Sequence, residues 1–167
     1  MKALYLLCVG LHVFAAMTWI GGMAFMVLIL IPTLRRSTDA PEMRLRLLHD
    51  LAMRFRTIGW IALGTLVLTG AGNLWFRGVT AADFFTGRTF ALGDWGQHLA
   101  EKLCVVLAIL AISVSHDFWI GPRAVRLAQQ APGSPERERF RKLASWAGRL
   151  NFALALVVLA LAIQLVR

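Results

Sequence analysis

Four apolar runs, each long enough to cross a lipid bilayer as a helix, constrain this chain more than any other feature. They extend from Ala3 to Ile31, from about Thr57 to Phe76, from about Gln97 to Ile120 and from about Leu143 to Val166. A bilayer core is spanned by about 20 apolar residues in helical form. Inside it every backbone N–H and C=O must be satisfied within the segment, which favours helices. Composition agrees: 58% of the 167 residues are hydrophobic and 16% are charged, against about half and roughly a quarter in soluble domains. The sequence therefore predicts an all-α protein: an integral membrane four-helix bundle forming a single transmembrane domain over residues 1–167. The expected helices are about 3–32, 57–76, 97–120 and 143–166, with Pro32 and Pro122 closing the first and third.

The first run follows Met1-Lys2 and so competes with a signal peptide. It continues well past a normal h-region without a small-x-small cleavage site, so helix 1 is expected to stay in the protein. The formal charge of +9 does not point to nucleic acid, because the basic residues fall in two loops rather than on one folded face. Arg35, Arg36, Arg44, Arg46, Arg54 and Arg56 occupy the first loop, and Arg123, Arg126, Arg137, Arg139, Arg141 and Lys142 the third. The second has only Arg77 and Arg88, offset by Asp83 and Asp94. The positive-inside rule then makes loops one and three cytoplasmic and the chain N-out/C-out. Trp60, Trp119 and Trp146 fall at the inner interface and Trp75 and Trp95 at the outer one, whereas Trp19 falls mid-membrane and is expected inside the bundle. The segment about 40–55 mixes leucines with Arg44, Arg46, His49 and Asp50. It fits either a cytoplasmic amphipathic helix on the inner leaflet or a continuation of helix 2.

Polar groups within spans are costly, and each is a candidate for function. His12 sits one helical turn after Cys8, on a stripe that continues through Ala15, Trp19 and Gly22 to Met26. His98 and Lys102 open helix 3 one turn apart, and their face leads to His116. His98 and His116 are separated by roughly 27 Å of helix and cannot share a metal. His12 and His98, on different helices at the outer side, can. Tyr5, Asn73, Arg77 and Gln164 also map to outer helix ends, so four helices direct polar groups toward one end of the bundle. At the inner end His116 and Asp117 meet Arg123, Arg149 and Asn151. There the expectation is a structural cluster in which Arg149 or Arg123 neutralises Asp117. An exit site for an ion or proton is the functional alternative. Gly21, Gly22, Gly59, Gly64, Gly70 and Gly72 read as close-packing positions. Cys8 and Cys104, both in apolar segments, do not suggest a structural disulfide. No phosphate loop, nucleophile elbow or paired Cys-x-x-Cys occurs.

Helix 1, with Leu11-His12, Trp19-Ile20-Gly21-Gly22 and Pro32, resembles the opening of the copper resistance protein D (CopD) family. The likeness continues in Arg54-Phe55, Leu68-Thr69-Gly70 with Asn73, and Gly96 followed by Lys102. It ends with His116-Asp117, Gly121-Pro122-Arg123 and Arg149-Leu150-Asn151. This resemblance implies a four-helix unit that moves or tolerates copper in the bacterial inner membrane, as a multi-pass protein. The opening is also similar to that of HemJ-type protoporphyrinogen oxidases, which implies a haem alternative.

Three functions follow. The first is copper handling, without an enzymatic step, with Cys8, His12, His98 and Met26 as ligands; thiolate, imidazole and thioether suit copper. The second is a b-type haem protein with oxidoreductase character, His12 and His98 as axial ligands and Lys102 and Arg77 available to the propionates. The third is a cofactor-free accessory subunit that binds a second copy or another membrane protein through its small-residue faces.

Overall fold

The computed structural model describes residues 1–36, 41–89, 91, 93–130 and 133–165. All the regular structure among them is helical. Its elements are α1 (Lys2–Phe25), α2 (Ile31–Arg36), α3 (Pro41–Phe76), α4 (Ala81–Phe85), α5 (Asp94–Ser115), α6 (Gly121–Gln130) and α7 (Pro135–Gln164). A π turn, Met26–Leu30, joins α1 to α2, and a second, His116–Ile120, joins α5 to α6. Among the described residues four helical stretches are long and apolar enough to cross a membrane: Lys2–Leu34, Arg46–Phe76, Asp94–Gln130 and Pro135–Gln164. Only 11 to 17% of their most apolar stretches is buried inside the chain. The apolar surface that remains needs lipid to cover it.

The helices run further than the apolar runs that announce them. Pro32 and Pro122 are expected to stop their helices, yet each stands second in a helix that carries on. The π turns explain why. Proline has no N–H to donate, and its ring crowds the carbonyl four residues back. Immediately before each proline the backbone bond reaches one residue further: the N–H of Ile31 donates to Met26 O, and that of Gly121 to His116 O. The widened turn moves the crowded carbonyl aside, and the helix continues. The other departure is the segment after Pro41. It forms the first turns of α3, continuous with the second span; Ala40, where the expected segment begins, lies outside the described residues.

The chain divides into two compact units, one ending at Thr86 and the other beginning at Gly87. In the first, α1 packs antiparallel to α3. Tyr5 meets Phe76 edge-on with ring centroids 5.6 Å apart, and Trp19, only 6% exposed, lies on Gly59. A Cβ added to Gly22 would collide with the Phe55 ring. Lipid gives helices no hydrophobic reason to associate, so small residues that let backbones approach do this work. In the second unit α5 and α6 pack on α7, with Ile109, Ser113 and Ala155 buried between them. α7 starts where its sequence directs. Ser134 accepts the Arg137 N–H at 3.2 Å, Pro135 takes the first turn, and Glu136 and Glu138 sit at the positive end of the helix dipole.

Candidate functional site

In the first unit Cys8 and His12 of α1 converge on one residue of α3, Thr69, which is 8% exposed. Its hydroxyl donates to Thr65 O at 2.5 Å, the usual way for a helical threonine to satisfy itself. The same Oγ1 lies 2.9 Å from His12 Nδ1. Cys8 donates its thiol hydrogen to Thr69 O at 3.3 Å. One residue of α3 thus holds Cys8 and His12, which stand one turn apart on the same face.

The glycines beside Thr69 make room for this. A Cβ on Gly70 would lie 3.5 Å from His12 Cε1, and one on Gly72 would lie 2.9 Å from Cys8 Sγ. One turn beyond Thr69 stands Asn73, whose Oδ1 is enclosed without a hydrogen-bond partner. A buried acceptor left unpaired calls for a water or an ion.

The remaining candidates lie elsewhere. Met26 follows the end of α1, roughly 21 Å along the axis from His12. Arg77 is exposed just past the end of α3. His98 and Lys102 belong to the second unit, on the first turns of α5, where His98 Nδ1 lies 3.3 Å from Glu101 Oε2. At the other end of that unit His116 Nδ1 pairs with Asp117 Oδ1 at 2.8 Å, within the π turn. Arg149 lies over the Trp146 ring, 5.7 Å from its centroid, and Arg123 lies at the same distance over Phe140. Asn151 donates to Ser113 Oγ at 2.9 Å, while its Oδ1, like that of Asn73, is enclosed without a partner. Among the described residues no three His, Cys, Asp or Glu side chains gather as a metal cluster.

Four helices long and apolar enough to cross a bilayer, among the described residues, define a multi-pass membrane protein. The model of the family described as copper resistance protein D matches residues 49–165, well over half of the chain, and the chain belongs to that family. Cys8 and His12 precede the matched residues, whereas Thr69, Asn73, His98 and the His116–Asp117 pair lie within them. An uncharacterized protein of Aquifex aeolicus (strain VF5) is 29% identical over 166 residues, covering 99% of this chain and 95% of its own. No solved structure matches the chain.

Proposed function

We propose that this copper-resistance-family protein handles copper in the bacterial inner membrane, and that Cys8 and His12 form its ligand station. The reading rests on the convergence of Cys8 and His12 on Thr69, whose hydroxyl also reaches Thr65 O. In this reading the Thr69 oxygen accepts from Nδ1 and the imidazole ligates through Nε2, as outer-shell partners of metal-bound histidines do. The thiol one turn away supplies a soft ligand, and its proton leaves when a cation binds. Imidazole with thiolate favours Cu(I), and the enclosed Asn73 Oδ1 adds a polar wall one turn from Thr69.

The test is a Cu(I) titration of the purified full chain against a chromophoric chelator. The expected result is binding near one equivalent that is lost in Cys8→Ser and in His12→Ala. Unchanged retention in both variants sinks the reading. An absorption spectrum of the same sample addresses the haem alternative: a Soret band that disappears in His12→Ala would replace copper with haem as the ligand of this histidine.

A further inference from the structure

The second unit carries a groove of about 620 Å³ that the copper reading does not use. Its walls are almost wholly apolar, among them Ile112, Ile120, Leu143 and Leu150, and at one edge stand Trp146 and Arg149. The volume lies within the range of small-molecule sites. We propose that this groove binds an anionic phospholipid, with an acyl chain along the apolar wall and the phosphodiester on Arg149.

Position, charge and geometry each support that occupant. Arg149 is the last charged residue of α7 before the apolar stretch beginning at Leu150, about 10 Å deeper along the axis than Lys142. A cation at that depth needs a partner. Among the described residues it meets no carboxylate within ion-pair distance, and it lies over the face of Trp146. Stacking on the ring orients the guanidinium without consuming its N–H donors, which match a phosphate in forked geometry. Trp146 is 65% exposed, as suits an indole at the headgroup level. Ser115, which brings a hydroxyl to the groove wall, gives its proton to Ala111 O at 2.8 Å. Arg149 is thus the donor on which headgroup selection turns.

Native mass spectrometry of the full chain, delipidated in detergent and titrated with phosphatidylglycerol or phosphatidylcholine, tests this. The expected preference for phosphatidylglycerol is about tenfold, the size of one charge-assisted contact. R149Q should abolish the preference, and R149K should retain part of it. A147F leaves the arginine in place but fills the groove, and should reduce adducts of both lipids. Substituting Arg139, Arg141 and Lys142 by Gln should leave the preference intact. Equal retention of the two lipids by the parent chain overturns the proposal, as does loss of the preference with the surface triple variant or full competition by inorganic phosphate. A groove covered instead by a second copy would show as an oligomer disrupted by A147F with no headgroup preference, and this also overturns it. Circular dichroism of each variant excludes unfolding as the cause, and A147F remains decisive if R149Q does not fold.

Discussion

Thr69 shows how a residue of ordinary appearance can organise a site. A threonine in an apolar helix satisfies its own hydroxyl on the carbonyl one turn back, so in a sequence it reads as neutral filler. The histidine and cysteine of α1 are legible because imidazole and thiol have no such local partner. Their common anchor is not legible, since it sits some sixty residues away and is chosen by helix register. The same blindness applies to Ser113, the buried hydroxyl that receives Asn151. The anchoring role yields a direct prediction. Thr69→Val keeps the shape but removes the acceptor, freeing the imidazole to change tautomer, and Cu(I) affinity should fall about 10- to 100-fold. Thr69→Ser should stay within a few-fold of the parent, because it retains the oxygen. Equal affinities for valine and serine variants in the chelator titration would show that the hydroxyl does not set the ligand.

At the scale of the element, apolar length announces each span, and what defeats the sequence is where each helix ends. Proline reads as a stop, yet Pro32 and Pro122 lie inside continuous helical rods because a π turn precedes each in the same register. A π turn has no residue signature of its own: Met26–Leu30 is wholly aliphatic, whereas the second opens with His116-Asp117. If the turn exists to accommodate the ring, removing its extra residue should be harmful only while the proline is present. Deletion of Leu28 alone should destabilise α1 by about 3 kcal/mol, the cost of an unaccommodated proline. Adding Pro32→Ala should restore most of that loss in thermal unfolding followed by circular dichroism. No rescue by the alanine would mean that the π turn answers to something other than the ring. The α1–α3 contact makes a second demand. Gly22→Ala drives a methyl into the Phe55 ring and should cost about 1–3 kcal/mol. Adding Phe55→Leu should recover part of it, because the two changes act on one contact.

On the scale of the whole molecule, the two units repeat one plan that side-chain identity conceals. Each has a long helix, a π turn, a proline-bearing extension and a return helix, and each encloses an unpaired asparagine oxygen, Asn73 in one and Asn151 in the other. Residue by residue the units hardly correspond, which is why no repeat is evident in the sequence. The shared plan places arginines at the same point of both, on the segment between the π turn and the return helix: Arg36 in one unit, Arg123 and Arg126 in the other. We propose that each hairpin inserts with its arginine-bearing turn toward the cytoplasm, as the positive-inside rule predicts. Alkaline phosphatase fused after Thr86, between the units, should be active, and the same enzyme fused at Gly133 should be inactive. Because the bias rests on arginines in short loops, it should be reversible by charge alone. Replacing Arg36, Arg123 and Arg126 with Gln while adding four lysines between Gly78 and Gly93 should lower phosphatase activity at the first junction and raise it at the second. Activity that stays at the first junction in the charge-swapped chain would mean that the hairpins are oriented by something other than their basic loops.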